Sequence, residues 1–299
     1  MIKVKNVSKS FENIHALRNV TINVKKGSIY GLLGSNGAGK TTLLKILAGI
    51  YKQDNGEVLL NDESVFENEN VKMRIAFIPD ENYFFSQYTI KNMANFYESI
   101  YSTWNSERFE KFKDVFNIDV NKKINSLSKG MKRQVSFWLS LSTMPDIMIL
   151  DEPIDGLDPV MRKKIKNLII KDVAERDMTV LISSHNLREL EDICDHIGIM
   201  HKGNIIIQKE LDDLKADVHK LQIAFKGDIP EEILKNPHVL YKNKIGSIML
   251  LIVRGSRDDI IEYFNKYEPV ILDILPLTLE EIFIYEMGDV GYEVQNVIF

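Results

Sequence analysis

Gly34-Ser35-Asn36-Gly37-Ala38-Gly39-Lys40-Thr41 follows the apolar run Ser28 to Leu33 and opens a helical pattern, Thr41 to Ala48. A strand, a glycine loop and a helix in that order can surround a row of phosphates. The glycines let backbone N–H groups turn inward, Lys40 reaches the β and γ oxygens, and the Thr41 hydroxyl can ligate Mg²⁺. The helix adds the positive end of its dipole. Ser35, Asn36, Gly37, Ala38, Gly39, Lys40, Thr41 and Thr42 are therefore expected to contact a nucleoside triphosphate. Taken alone, the loop also admits a glycine-rich turn without a ligand.

At 299 residues, 44% hydrophobic and 27% charged, the sequence is that of an ordinary globular protein of about two domains. No apolar stretch approaches the roughly 20 residues of a membrane-spanning helix; Ser247 to Val253 is of strand length. Met1-Ile2-Lys3-Val4-Lys5 alternates like a strand and lacks a signal-peptide core, so a cytoplasmic location is expected. The single cysteine, Cys194, rules out an internal disulfide and a cysteine metal cluster, and reads as a small buried apolar residue. A net charge of −5 opposes broad nucleic-acid affinity, so no nucleic-acid partner is expected.

Asp146-Ile147-Met148-Ile149-Leu150-Asp151-Glu152-Pro153 reads as a buried parallel strand with two acids at its carboxyl end. Ligands of open α/β sheets bind at that edge. Asp151 would then meet the Mg²⁺ shell beside Thr41, and Glu152 would polarise an attacking water as general base. The alternative is an acid pair capping the next loop.

Asn125-Ser126-Leu127-Ser128-Lys129-Gly130-Met131-Lys132-Arg133-Gln134 precedes a helical pattern, Val135 to Thr143, and puts Ser128 and Gly130 at a helix start. A hydroxyl and free N–H groups there suit a terminal phosphate. Since one loop already surrounds the nucleotide, a second anion site points to a pocket completed by another subunit. By itself Ser128 also reads as an ordinary helix cap.

The order of these motifs, followed by Gly156-Leu157-Asp158-Pro159 and Ser183-Ser184-His185, resembles the ATP-binding subunits of ABC transporters from Val4 to about Gln208. Flanking segments agree. Phe11, upstream of Ala16-Leu17-Arg18-Asn19-Val20, sits where that family stacks an aromatic on adenine, although a core aromatic would look the same. Cys194 to Met200, then His201-Lys202-Gly203-Asn204 and Ile205-Ile206-Ile207, resembles its closing hairpin.

The resemblance implies ATP and Mg²⁺ as ligands, with Thr41, Asp151 and Asp80 around the metal, and catalysis by Glu152, His185 and Lys40. His185, after the strand Val180 to Ile182, would contact the γ-phosphate; Ser128 and Gly130 would cover the partner's nucleotide; Asp158 would cross the dimer interface. Asp155 reads equally as a turn residue. Two departures stand out. Asp80, followed by Glu81, occupies the place of a frequent glutamine, and an acid cannot donate an amide hydrogen bond. The signature carries Lys129 for glycine and Met131 for glutamine.

The implied fold is an α/β P-loop ABC ATPase core, a mixed sheet with flanking helices, over residues 1–211. A helical subdomain is inserted at about residues 82–143, with helical patterns at Ile90 to Ile100 and Ser106 to Phe116. Tyr83, Phe84, Phe85 and Tyr88 suit either a permease-docking surface or packing within the subdomain. Residues 212–299 read as a small α+β accessory domain with strands Lys220 to Phe225, Ile248 to Val253 and Val270 to Ile274, and helices Asp258 to Tyr267 and Leu279 to Met287. Thr278 and Glu281 form a capping-box pattern. Similar tails occur on ABC-2-type drug and peptide exporters. The resemblance thus implies a motor subunit, peripheral on the inner face of the membrane. It would work as a homodimer or as a heterodimer with a second ABC ATPase, on an integral membrane permease of separate chain. The rival is a soluble ABC ATPase acting on ribosomes or DNA; those types more often carry paired ATPase domains or long coiled coils, and neither appears in this sequence.

Overall fold

The computed structural model describes residues 1–278 and Glu281, apart from residues 217, 228, 229, 231, 234, 235 and 237. The chain divides into two compact units, Met1–Gln208 and a second beginning at Lys209. No helix among the described residues is long and apolar enough to cross a membrane.

The first unit runs β1 (Ile2–Phe11), β2 (Ile14–Val24), β3 (Ile29–Leu33), α1 (Lys40–Leu47), β4 (Asn55–Leu60), β5 (Glu63–Ser64), α2 (Glu69–Lys72) and β6 (Ile75–Ile78). It continues with α3 (Ile90–Ile100), α4 (Ser106–Phe116), α5 (Lys129–Ser142), β7 (Ile147–Asp151), α6 (Pro159–Arg176), β8 (Thr179–Ser184), α7 (Leu187–Glu191), β9 (His196–His201) and β10 (Asn204–Glu210). Two sheets result. One is antiparallel, in the order β2-β1-β4-β5; the other has the order β10-β9-β3-β8-β7-β6, and β9, β3, β8, β7 and β6 are parallel. Every residue of β3, β7 and β8 is buried, as expected of central parallel strands covered on both faces. The side of α1 bearing Leu43, Leu44, Ile46 and Leu47 shares one core with Leu32, Ile149 and Leu181 of that sheet.

The register of the parallel sheet places the chemistry. Leu33 pairs with Ser184, and Asp151 with Ser183. Gly34, Glu152 and His185 therefore leave neighbouring strands at one sheet edge, where helix N-termini and loops can meet a ligand.

Helices α3, α4 and α5 lie between β6 and β7 and form an aromatic cluster. Trp138 of α5 is fully buried, stacks between Phe109 at 4.9 Å and Phe116 at 5.6 Å, and donates its indole N–H to the Phe109 carbonyl at 2.9 Å. Each helix has a side-chain N-cap: Thr89 with Asn92 in a reciprocal box for α3, Asn105 for α4 and Ser128 for α5. The α3 and α4 boundaries are those of the sequence patterns. Helix α5 starts at Lys129 with Ser128 as its cap, where Ser128 and Gly130 place a helix start in the sequence, and runs on through the Val135 to Thr143 pattern as far as Ser142. A buried carboxylate, Asp172 of α6, takes two contacts from Arg108 of α4, at 2.6 and 2.7 Å, and one from Arg176 at 3.1 Å. That cluster ties the helical layer to the α/β core.

The second unit contains α8 (Leu211–Ala216), β11 (Val218–Ala224), β12 (Val239–Ile245), β13 (Ile248–Arg254), the helix Arg257–Asn265 and β14 (Ile271–Leu275). Its sheet is antiparallel throughout, in the order β12-β13-β11-β14. Leu221, Ile223, Leu251 and Val253 of the sheet pack with Ile260 and Phe264 of the helix. Thr278 and Glu281 bond reciprocally, 3.2 Å from the Glu281 N–H to the Thr278 hydroxyl and 2.9 Å from the Thr278 N–H to the Glu281 carboxylate. Apart from Glu281, the helix expected at Leu279 to Met287 lies outside the described residues.

Candidate active site

The glycine loop closes on itself through its lysine. Gly37 and Gly39 have φ of 80° and 109°, values that L side chains rarely adopt. At Gly39 a Cβ would also stand 2.5 Å from the Ala16 carbonyl oxygen. Lys40, 6% exposed, donates to the Gly34 carbonyl at 2.6 Å and to the Ser35 carbonyl at 3.4 Å. The N-terminus of α1 has no side-chain cap, so its first-turn N–H groups are presented to whatever enters the loop.

Facing the loop is Glu152, held in the left-handed region at φ 45°. A non-glycine residue there stores about 1–3 kcal/mol of strain, as functional sites often do. Its N–H donates to Ser183 Oγ at 3.0 Å, and the same hydroxyl donates to Asp151 Oδ1 at 2.6 Å. Ser183 therefore holds the Asp151 carboxylate and the Glu152 backbone. Glu152 Oε2 meets His185 Nδ1 at 2.9 Å and the His185 N–H at 3.3 Å. Its other oxygen, Oε1, is buried 3.3 Å from Lys40 Nζ without a hydrogen-bond partner. An orphaned carboxylate oxygen beside a lysine directed at backbone carbonyls is an arrangement waiting for a polar ligand.

These groups share a cavity of about 650 Å³, lined by residues 35 to 42 together with Ile14, His15, Ala16, Arg18, Asp80, Glu152 and Lys202. A cavity of about 720 Å³ in the second unit lies against Tyr263 and Phe264 and has no phosphate-binding loop, so the nucleotide chemistry belongs to the first unit.

Residues 17–155 match the family model described as ABC transporter. Over 288 residues, 96% of this chain and 98% of the relative, the sequence is 32% identical to the ABC transporter ATP-binding protein YtrB of Bacillus subtilis (strain 168). This chain belongs to the ABC transporter family. It is an ATP-binding subunit of that family and an ATPase. It is also 33% identical over 218 residues, 72% of this chain and 71% of the relative, to the bacitracin transport ATP-binding protein BcrA of Bacillus licheniformis. A dimeric ATP-binding cassette solved in a post-hydrolysis state with ADP and Pi covers 71% of this chain and 99% of its own, with a TM-score of 0.64 and 25% identity.

In this ABC ATPase the expected loop residues, Asp80 and Glu152 all line one cavity, and His185 and Asp151 join them through Glu152 and Ser183. Other expected residues stand apart. Phe11, 40% exposed, does not line the cavity; its ring meets Tyr51 edge-on at 5.4 Å, while Ile14 and His15 across the β1–β2 turn do line it. Ser128 and Gly130 are outside the lining as well, and the Ser128 hydroxyl accepts the Met131 N–H at 3.2 Å. Asp158 is exposed and caps α6 through the Met161 N–H at 2.9 Å, with Pro159 in the first helical turn. Two contributors were not singled out in the sequence: Ser183, whose role follows from strand register, and Arg133, buried under the Asp80 loop.

Proposed function

We propose that this ABC ATPase is the motor of an exporter, closing as a dimer around two ATP and driving a permease on a separate chain. The observation that carries the reading is Glu152, fixed between Lys40 and His185 at the mouth of the glycine loop. A triphosphate entering the loop would replace Glu152 as the partner of Lys40, and the freed carboxylate would orient water for attack on the γ-phosphorus. Lys40, the loop N–H groups, Thr41 and Thr42 would hold the phosphates. His185 would exchange its Glu152 contact for the γ-phosphate, and Phe11 would take the adenine.

The residues present fit a metal: the Thr41 hydroxyl borders the cavity, and Asp151 is oriented by Ser183. When bound, Mg²⁺ would neutralise charge on the β and γ oxygens. Ser128 and Gly130, away from this subunit's own cavity, would cover a nucleotide held by a second subunit, and Asp158 would lie where the two meet. Export of a drug or peptide is supported by the likeness to BcrA, whose name records bacitracin transport. The accessory domain, from about residue 212, would belong to the same motor.

The test is to tag the Glu152→Gln chain, trap it with ATP and Mg²⁺ in native membranes, solubilise it gently and identify what co-purifies. A stoichiometric polytopic membrane protein is expected, and a second ATPase chain beside it would mark a heterodimer. Recovery with ribosomes, with DNA or without a membrane protein overturns the reading.

A further inference from the structure

Three residues of helix α5, one in each of successive turns, make contacts that the nucleotide chemistry above leaves unused. In its first turn, a Cβ at Gly130 would stand 2.5 Å from the Gly156 carbonyl oxygen, so this turn rests on the loop that follows Glu152. One turn on, Arg133 is fully buried. Its guanidinium donates to the Pro79 carbonyl at 2.6 Å, to the Asp80 carbonyl at 2.5 Å and to the Asp80 carboxylate at 3.1 Å. In the next turn the Ser136 hydroxyl donates to Asn82 Oδ1 at 2.6 Å. Consecutive turns of one helix thus grip both the loop after Glu152 and the loop that brings Asp80 to the cavity.

A buried guanidinium is costly unless its geometry is well satisfied. Packing alone would be met as well by an apolar residue of similar volume. The two terminal nitrogens of the planar fork instead reach two carbonyls and a carboxylate, Nε staying without a partner; an apolar side chain makes none of these bonds, and a lysine has one nitrogen in place of the fork. Burial draws the Arg133 pKa below its ordinary value, while the charges of Asp80, Asp155 and Asp151 oppose that shift.

We propose that Arg133 is a positioning residue for ATP hydrolysis, joining the Asp80 loop to the helix that starts at Ser128 so that both move as one body, with the Asp80 carboxylate as its anchor. A change at the cavity that displaces Asp80 then displaces Ser128 and Gly130. The inference rests on the ATPase site and not on the permease or the direction of transport, so it is tested on the purified chain by basal hydrolysis.

Arg133→Lys keeps the buried cation and removes the fork. Its KM for ATP should stay within about twofold, its kcat should fall at least about tenfold, and amide hydrogen exchange should rise together at residues 80–82 and 129–132. Asp80→Ala, at a side chain half exposed to solvent, should lower kcat in the same direction and leave the Mg²⁺ concentration for half-maximal activity unchanged. The double variant should be no slower than Arg133→Lys alone, because both act through one contact. A kcat of Arg133→Lys within twofold of the parent, multiplying losses in the double variant, or a raised Mg²⁺ requirement in Asp80→Ala each overturns the inference. Should Arg133→Lys fail to fold by thermal melting, Asp80→Ala decides: a lowered kcat at constant Mg²⁺ requirement supports the inference and an unchanged kcat overturns it.

Discussion

Glu152 Oε1 stands 3.3 Å from Lys40 Nζ, and Oε2 of the same carboxylate stands 2.9 Å from His185 Nδ1. One carboxylate thus bridges the glycine-loop lysine and the histidine that follows β8, with Oε2 hydrogen-bonded to the imidazole and Oε1 beside the ammonium. The carboxylate lowers the cost of keeping the buried Lys40 charge out of solvent, while Oε1, lacking a hydrogen bond, leaves that pairing open to exchange with a polyanion.

Lys40→Ala removes the cation from both arrangements. ATP affinity should fall by about two orders of magnitude, on the order of 3 kcal/mol, because a buried charge loses its partner. Titration with a fluorescent ATP analogue measures it, and an unchanged Kd would remove Lys40 from the phosphate site.

Glu152→Gln keeps the size of the side chain and the Ser183 contact, which is made by the backbone N–H. It cannot accept a proton from water. Hydrolysis should fall by about 10²–10⁴-fold while ATP binding persists, and the trapped nucleotide should hold the chain as a dimer in light scattering. Equal hydrolysis by the variant and the parent protein would refute the general-base role.

Asp172→Asn tests the bond between the helical layer and the core. Arg108 and Arg176 both address this buried carboxylate, so neutralising it leaves two partly buried guanidinium groups short of a counter-charge. The expected loss is about 3–5 kcal/mol in urea unfolding. A loss below 1 kcal/mol would mean that water replaces the carboxylate, roughly the value of an exposed pair.

How much of this was legible beforehand follows the range of each interaction. Helices α3 and α4 announce themselves by local periodicity and caps, and the glycine loop by residues adjacent in sequence. The strand β12 carries no such sign: Lys242, Asn243 and Lys244 are polar and exposed on an edge strand, without the apolar alternation that marks a half-buried one. Ser183 belongs to Ser183-Ser184-His185, but its bond to Asp151 exists only because β7 and β8 pair in that register. Arg133 gives no local sign at all. Its partners are more than fifty positions away, on a loop brought to it by the packing of α5 against β6.

Asp54 supplies a pH signature of the fold that is separate from catalysis. Its carboxylate accepts from Lys9 Nζ at 2.6 Å and from the Ser10 N–H at 2.7 Å, pinning the segment before β4 to β1. The hydrogen bond from Lys9, then that from the Ser10 N–H, holds its pKa below the ordinary carboxylate range. A depressed folded-state value means that the folded protein binds a proton less readily than the unfolded chain. The stabilisation is therefore fully present above the unfolded aspartate value near 4, and is lost as pH falls through the folded value. Asp54 is well exposed, so solvent screening keeps the contribution to no more than about 1 kcal/mol. Asp54→Asn should be less stable than the parent protein at pH 7, and the difference should close on acidification toward pH 2. Urea midpoints at both pH values measure it, and a stability difference independent of pH would show that the Asp54 charge does not contribute.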